Sequence, residues 1–247
     1  MQAAADWFRE WFDSPYYHKL YFERNEEEAT AFIHRLLTLL SPPPASRMLD
    51  VACGRGRHAR ILADQGYDVT GIDLAPSSIE YARQFRNDHL EFYIHDMRQI
   101  FCTNCFDYVF NFFTSFGYFR AQRDNDRVIK MVSLALKKEG VFILDYLNEH
   151  CAQQRLIPRS EMLIDGVTYN ITRWTDPTHF YKRIVIEDQH LKEPLEFTER
   201  IARFSLRDFG DMLTRGGLAI RNVFGSYQLE PFDIDHSPRL IIVAEKK

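Results

Sequence analysis

Between residues 47 and 147, the sequence alternates short apolar runs with amphipathic helical patterns. The apolar runs are "RMLDVA", "YDVTGID", "LEFYIHD", "FDYVFNFF" and "VFILDYL", and helical patterns separate most of them. Strands that alternate with helices form parallel sheets, because each helix carries the chain back to the end of the sheet where the next strand starts. The sequence therefore predicts an α/β fold with a doubly wound, mostly parallel sheet that helices cover on both faces.

The helical rhythm stops between about residues 155 and 204. Within this stretch, "VTYNITRWT", "FYKRIVIEDQHL" and "LEFTERIARFSL" are rich in aromatic and β-branched residues and predict antiparallel strands. A helical pattern, "SLRDFGDMLTRGG", and two closing strands, "LAIRNVFGSYQL" and "RLIIVAE", follow. The prediction is an α/β domain over residues 47–154 and 205–247, with an antiparallel β segment inserted at 155–204 and a helical segment before it at 1–46.

The N-terminal segment carries an aromatic helical face. Trp7, Phe8, Trp11 and Phe12 fall on one side of a helix. Such a face packs on the core or on a second subunit, or it forms a lid that closes over a ligand and excludes water. The sequence leaves these alternatives open.

Composition and charge narrow the possible partners. The chain has 247 residues and a formal net charge of −4, without a long basic run, which argues against nucleic acid as its main partner. No apolar stretch has the length of a membrane span, and the first residues lack the order of a secretory signal, so the sequence predicts a cytoplasmic protein. Cys102 and Cys105 form a lone C-x-x-C without further ligands at metal spacing, and no metal site is predicted.

The segment "MLDVACGRGRHA" places a carboxylate and two glycines at the end of the first strand. Gly54 and Gly56 let the backbone approach a ligand, and the helix that follows offers unpaired N–H groups. The letters "GRGRHA" also fit the dinucleotide fingerprint, and a turn without any ligand is a further alternative. Asp50, however, precedes the glycines, where it would repel a pyrophosphate and attract a cationic ligand.

Two more acids end the next strands of the predicted sheet. Asp73 closes the second strand in "GIDLA", and Asp96 closes the third in "IHDM". Ligands of open α/β sheets bind at the carboxyl ends of the strands, where a carboxylate can accept hydrogen bonds from a ribose. Together with Asp50, these acids indicate a ribose-containing and cationic ligand.

On these motifs, the sequence resembles the class I S-adenosylmethionine-dependent methyltransferases, of the small-molecule type similar to methyltransferase domain 25. The segments that carry the resemblance are "LDVACGRGRHA", "GIDLAPSSIEYAR", "HDMRQI" and "FDYVFNFFTSFGYF". The resemblance implies S-adenosyl-L-methionine as the cofactor. It also implies a set of cofactor-binding residues, namely Asp50, Cys53, Gly54, Arg55, Gly56 and His58, then Asp73 and Leu74, then Asp96 and Met97, and finally Asn111 and Phe112. An N-terminal tyrosine and arginine reach the cofactor in similar enzymes, and Tyr21 and Arg24 are the matching residues here.

The resemblance further implies a Rossmann-like sheet of seven strands with the last one antiparallel, and an inserted β cover over the substrate pocket. The fourth motif reads "NFFT" rather than the N-P-P-Y type of enzymes that methylate DNA bases or protein glutamine, so those substrates are set aside. The remaining expectation is a small-molecule acceptor, whose pocket would include Phe113, Tyr118, Tyr146 and Asn148. Methyl transfer needs no nucleophile from the protein, so no catalytic residue is assigned.

Three functional hypotheses follow from the sequence. The first is methyl transfer from S-adenosylmethionine to a nitrogen, oxygen or carbon atom of a small molecule. The second is a non-catalytic protein that senses S-adenosylmethionine or supports a partner, and the third is a dinucleotide-dependent oxidoreductase. A homodimer is compatible with the aromatic N-terminus, and no membrane partner is expected.

Overall fold

The computed structural model describes residues 7–21 and 26–247. It contains one large sheet, one small sheet and the helices that pack on them. The helices are α1 (Trp7–Phe12), α2 (Pro15–Leu20), α3 (Glu26–Leu40), α4 (Arg57–Asp64), α5 (Pro76–Ala82), α6 (Gln122–Ala135), α7 (Glu149–Gln154) and α8 (Leu206–Arg215). The strands are β1 (Arg47–Val51), β2 (Asp68–Asp73), β3 (Leu90–Ile94), β4 (Phe106–Asn111), β5 (Leu136–Leu147), β6 (Arg159–Ile164), β7 (Val167–Thr175), β8 (His179–Glu187), β9 (Leu195–Ala202), β10 (Leu218–Phe224) and β11 (Arg239–Lys246).

The large sheet confirms the predicted fold class. Its seven strands lie in the order β10-β11-β5-β4-β1-β2-β3. The pairs among β1 to β5 are parallel, whereas β11 runs antiparallel to both β5 and β10. The chain starts at β1, fills one side of the sheet with β2 and β3, and then crosses to β4 on the other side. This reversal creates a crevice at the carboxyl ends of β1 and β4, where such sheets bind ligands.

Apolar side chains fill both faces of the large sheet. On one face, Phe32 and Ile33 of α3 and Leu62 of α4 are fully buried. On the other face, α6 and α8 contribute Ile129 and Phe209, which are also fully buried. The sheet is therefore the middle layer of three, and its position is fixed by hydrophobic packing from both sides.

The small sheet contains four antiparallel strands in the order β6-β7-β8-β9. Three of them, β7, β8 and β9, correspond to predicted strands. The fourth, β6, is not predicted, because its residues at the free edge of the sheet show no regular alternation of buried and exposed positions. The inner face of this sheet buries Tyr169, Ile171 and Ile184, which join the core cluster of one face of the large sheet. The N-terminal helices are part of the same cluster, since Trp11 is fully buried and its ring lies 4.7 Å from that of Phe197.

None of the described helices is both long enough and apolar enough to cross a lipid bilayer.

Candidate functional site

A cavity of about 600 Å³ opens at the carboxyl ends of β1 to β4, beneath the N-terminal helices. It brings together most of the side chains that the sequence singles out. The predicted residues that line it are Tyr21, Cys53, Gly54, Arg55, His58, Asp73, Leu74, Asp96, Met97, Phe112, Phe113 and Tyr118. Arg24 lies outside the described residues, and the structure makes no statement on its predicted role.

The turn after β1 forms the floor of the cavity with a tightly coiled backbone. Gly54 has a φ of +55° and faces open space, so that no atom lies within 4 Å of where its Cβ would be. Gly56 has a φ of +79°, and its Cβ would lie 2.5 Å from Cζ of Phe92 on β3. Both positions adopt the left-handed backbone that favours glycine. Only Gly54 lines the cavity, whereas Gly56 allows the turn to pack against β3.

Asp73 joins this turn to the end of β2. Its two carboxylate oxygens accept hydrogen bonds from the backbone N–H groups of Gly54 and Ala75, each at 2.8 Å. Burial raises the pKa of Asp73 above its ordinary value, although these N–H donors oppose the shift. Each carboxylate oxygen has a second lone pair. Asp73 can therefore accept further hydrogen bonds from a ligand in the cavity that it lines.

Asp50 and Asn111 lie behind the turn rather than in the cavity lining. Each of them is 1% exposed. Asp50 is the next-to-last residue of β1, and Asn111 is the last residue of β4, which pairs with β1. Among the described residues, neither Oδ2 of Asp50 nor Oδ1 of Asn111 has a hydrogen-bond partner. Burial, with a smaller contribution from the charge of Asp73, raises the pKa of Asp50 to about 8. Unpartnered buried acceptors are costly, and a cationic group bound on the cavity side of the turn would offset part of this cost through its charge.

Asp96 follows β3 in the cavity wall and is already paired. Its carboxylate accepts from Arg98 Nη2 at 2.6 Å and from Arg9 Nη2 at 3.4 Å. Burial alone would raise the pKa of this carboxyl group, but the hydrogen bonds from Arg98 outweigh burial and lower it. Asp96 thus remains ionised and fixed beside Met97, which also lines the cavity.

Aromatic rings close the other side of the cavity. The ring centroid of His58 lies 4.8 Å from that of Phe112 and 5.0 Å from that of Phe113. From the N-terminal helices, Phe12 reaches the Tyr118 ring at a centroid distance of 5.1 Å. Phe8, Tyr17, His18 and Tyr21 of the same segment also line the cavity. The aromatic face of this segment therefore packs on the core and forms one wall of the cavity as well.

The loop after β4 is held in an unusual conformation by residues that sequence analysis does not identify. Phe113 and Thr114 both have left-handed backbone, with φ of 56° and 59°. Asp145, at the end of β5, accepts a hydrogen bond from Phe113 N at 2.8 Å, and its carbonyl oxygen accepts from Thr114 N at 3.0 Å. Tyr227 donates to the same carboxylate at 3.0 Å, and Arg239 Nε does so at 2.8 Å. This fully buried carboxylate fixes the loop that presents Phe113 to the cavity.

Tyr146 and Asn148 do not belong to this cavity, contrary to the prediction of a substrate pocket that includes them. Tyr146 is fully buried, and its hydroxyl donates to Ala202 O at 2.6 Å. The side-chain amide of Asn148 donates to the carbonyl oxygens of Ile234 and Ser237 at 2.7 and 2.8 Å. Both side chains connect β5 and α7 to neighbouring chain segments, so their polar atoms are occupied within the protein.

The described part of the chain, residues 7–21 and 26–247, contains no group of three or more His, Cys, Asp or Glu side chains that could hold a metal ion. Cys102 and Cys105 are joined as a disulfide in the turn before β4. This turn lies at the opposite end of the strand from the cavity.

The cavity combines carboxylates and backbone N–H groups at the strand ends with an aromatic wall from the N-terminal helices. A model of the methyltransferase domain matches residues 43–199. The chain is similar to a putative methyltransferase of Geobacillus, with 23% identity over 240 residues that cover 94% of this chain and 97% of the relative. It is also similar to an enzyme of Streptomyces fradiae that N,N-dimethylates dTDP-3-amino-3,6-dideoxy-alpha-D-glucopyranose, with 29% identity over 50% of this chain and 46% of the relative.

Solved structures share the fold along nearly the whole chain. An S-adenosylmethionine-dependent methyltransferase of Clostridium acetobutylicum superimposes with a TM-score of 0.76 at 19% identity, covering 94% of this chain and 96% of the other. An amino pentose methyltransferase of Micromonospora echinaspora, solved with S-adenosylmethionine bound, gives a TM-score of 0.66 at 21% identity over 95% of this chain and 98% of the other. Because the matched family model spans more than half of the sequence, the chain belongs to the methyltransferase-domain family and is a class I S-adenosylmethionine-dependent methyltransferase.

Proposed function

We propose that the protein methylates a small-molecule acceptor that binds at the aromatic wall of the cavity. The observation that carries this proposal is the division of the cavity lining into two chemistries. Polar groups such as Asp73 and Asp96 lie at the strand ends, whereas Phe12, Tyr17 and Tyr118 come from the N-terminal helices and the loop after β4. The polar part suits the cofactor, and the aromatic part is left for the acceptor.

Individual residues fit particular groups of S-adenosylmethionine. The carboxylate of Asp73 would accept hydrogen bonds from the ribose hydroxyls, and Asp96 with Met97 would hold the adenine. Gly54, which faces open space, allows the ligand to approach the backbone closely. Asp50 and Asn111 do not line the cavity, so they would act on the ammonium group of the methionine part from behind the turn, through their charge and dipole.

Methyl transfer requires the protein mainly to align the two reactants and to exclude water. When bound, S-adenosylmethionine supplies a methyl group on a positively charged sulfur, which is already activated for transfer. Alignment of two reactants can lower a barrier by about 7–11 kcal/mol, and the cavity walls supply this alignment together with the exclusion of water. An acceptor that arrives as a neutral amine needs no general base from the protein for the transfer itself.

An amine is the acceptor that we propose to test first. The Streptomyces fradiae relative is named for dimethylation of an amino sugar, and the Micromonospora neighbour for an amino pentose. These names support a nitrogen acceptor on a small polar molecule. Molecules with oxygen or carbon acceptor atoms are assayed after the amines. The cytoplasmic location, the homodimer and the lack of a nucleic-acid partner stay predictions from the sequence.

Calorimetric titration with S-adenosylmethionine, followed by an assay of S-adenosylhomocysteine release, tests the proposal. We expect wild-type protein to bind the cofactor, Asp73→Ala to bind it much more weakly, and Asp73→Asn to retain part of the affinity through its amide oxygen. Release of S-adenosylhomocysteine that depends on an amino sugar or another small amine would support the function. Binding without release for any amine, phenol or carbon acceptor would contradict it and favour a sensor.

A further inference from the structure

A second cavity, of about 440 Å³, lies between the inner face of the four-stranded sheet and the segment around α7. It is separate from the cofactor cavity, and no residue lines both. Pockets for small organic ligands have volumes of about 300–1,000 Å³, so this cavity is large enough for one. Neither the methyl transfer nor the cofactor gives it a role.

Most of the wall of the second cavity is apolar. Phe180 and Ile201 come from β8 and β9, and Leu156 from the turn after α7. Ile157, next along the chain, is 64% exposed at the same cavity. An apolar wall with an exposed isoleucine beside it fits a ligand that has a hydrocarbon body.

The charged groups of this cavity are mostly cations. Arg155, Arg173 and Lys182 line it, and Glu199 is the single carboxylate that lines it among the residues that the structure describes. Arg173 Nη1 donates to two neutral oxygens, Ser160 Oγ at 2.9 Å and Ile157 O at 3.4 Å. The guanidinium charge of Arg173 is therefore not balanced by these contacts.

Glu199 balances at most one of the other cations, Lys182, because it is a single carboxylate that also accepts hydrogen bonds from the N-terminal segment. Its Oε1 accepts from Trp11 Nε1 at 2.7 Å and from the Tyr21 hydroxyl at 3.0 Å. Its Oε2 lies 3.7 Å from Lys182 Nζ. One carboxylate with one lysine leaves the positive charge of Arg155 and Arg173 available to a ligand.

We propose that the second cavity binds a small organic anion, with its hydrocarbon body on Phe180 and Ile201 and its acid group at Arg173. A carboxylate suits this position, because a guanidinium holds a carboxylate with two parallel hydrogen bonds. The inference does not depend on the proposed acceptor. The two cavities are neighbours, since Tyr21 lines the first, Lys182 lines the second, and the Lys182 ammonium donates to the Tyr21 hydroxyl.

Calorimetric titration of the full chain with octanoate, and with octanol as its neutral counterpart, tests the site. We expect octanoate to bind at least about tenfold more tightly than octanol, because a charge-assisted hydrogen bond contributes this much or more. Arg173→Met should weaken octanoate about tenfold and leave octanol unchanged. Asp73→Ala, which alters the cofactor cavity, should leave the affinity for octanoate as it is.

Several results would overturn the proposal. These are no binding of octanoate, equal binding of octanoate and octanol, an Arg173→Met variant with wild-type affinity, and loss of octanoate binding in Asp73→Ala. Circular dichroism establishes whether each variant folds. Should Arg173→Met not fold, Arg155→Met at an exposed position replaces it, with an expected loss of about 1.4- to 5-fold in octanoate affinity. Failure of cofactor binding in the wild type would refute the proposed function without touching this one.

Discussion

Substitution by alanine should mainly affect ligand binding at one glycine of the turn after β1 and mainly affect stability at the other. Gly54→Ala places a methyl group in open space within the cofactor cavity, whereas Gly56→Ala drives it into Phe92, at 2.5 Å from Cζ. Phe92 is 1% exposed, so it can move aside only by disturbing the packing of the core around it. We therefore expect Gly54→Ala to impair binding and Gly56→Ala to impair stability.

The magnitudes follow from the backbone and from the packing. A left-handed alanine costs about 1–2 kcal/mol, part of which is offset because alanine restricts the unfolded chain. Ala52 already adopts a φ of 60° in the same turn, which shows that the conformation is accessible to alanine. Gly54→Ala should thus lower the free energy of unfolding by about 1 kcal/mol, or the melting temperature by about 2–4 °C. Overpacking against Phe92 adds about 1–3 kcal/mol to Gly56→Ala, for a fall of about 4–16 °C.

For the affinity for S-adenosylmethionine, we expect the larger loss in Gly54→Ala and the smaller loss in Gly56→Ala. The methyl group of Gly54→Ala enters the space in which we propose that the cofactor binds. Steric overlap of this kind costs about 1–3 kcal/mol, or about 5- to 150-fold in Kd. Gly56 does not line the cavity, so its variant should lose less affinity at a temperature where it remains folded. Differential scanning fluorimetry and calorimetric titration with S-adenosylmethionine measure both quantities. Wild-type affinity in Gly54→Ala, or a lower melting temperature for Gly54→Ala than for Gly56→Ala, would refute the reasoning.

Three further perturbations test the buried acids. Because burial raises the pKa of Asp50 from 3.8 to about 8, its contribution to stability is complete below pH 3.8 and is lost as the pH rises through 8. Asp50→Asn should therefore flatten the pH dependence of urea unfolding over this range in ligand-free protein. Asp145→Asn and Arg239→Met should each lower the free energy of unfolding by about 3–5 kcal/mol, since each removes the opposite charge from the side chain that remains. The double variant should lose less than the two single variants together, and additive losses in urea titrations would contradict a coupled pair. Glu199→Ala should accelerate amide hydrogen exchange in α1 and α2, because it removes the acceptor of Trp11 Nε1 and of the Tyr21 hydroxyl. Glu196→Ala on the outer face of the small sheet should not, and equal exchange in both variants would show that the Glu199 contacts do not hold the N-terminal helices.

Much of the cofactor cavity follows from local sequence, because its side chains come directly after strands. Parallel strands bring their carboxyl ends to one edge of a sheet, so a carboxylate that ends a strand is placed without knowledge of the rest of the chain. Asp73 and Asp96 are examples, and the structure brings both to the same cavity. The same reasoning misplaces Tyr146, because β5 continues past it to Leu147 and pairs Tyr146 with Leu240 inside the sheet.

The contacts that fix the loop after β4 cannot be predicted from the sequence. Arg239 is 94 positions from Asp145, and no local pattern indicates that they meet. A buried acid in the middle of an apolar run, such as Asp145 in "FILDYL", is the one available signal, since buried carboxylates need partners. The position at which α6 ends likewise depends on a contact with a distant part of the chain. The apolar spacing in "DNDRVIKMVSLALKKEG" predicts, by itself, a helix that continues to about Gly140. The helix ends at Ala135 instead, because Leu136 pairs with Phe106 in the large sheet.

The position of β11 bears on how the chain folds as it is synthesised. This strand lies between β5 and β10, and its residues 240–244 are almost completely inaccessible to water. It is also the last strand of the sheet to leave the ribosome, after the entire four-stranded sheet. Until then, β5 has an open edge and the core on both sides of the sheet is incomplete, so early folding from the N-terminus yields an intermediate with exposed apolar surface. The antiparallel strand that closes the sheet thereby makes completion of the fold a late event that depends on contacts distant in sequence.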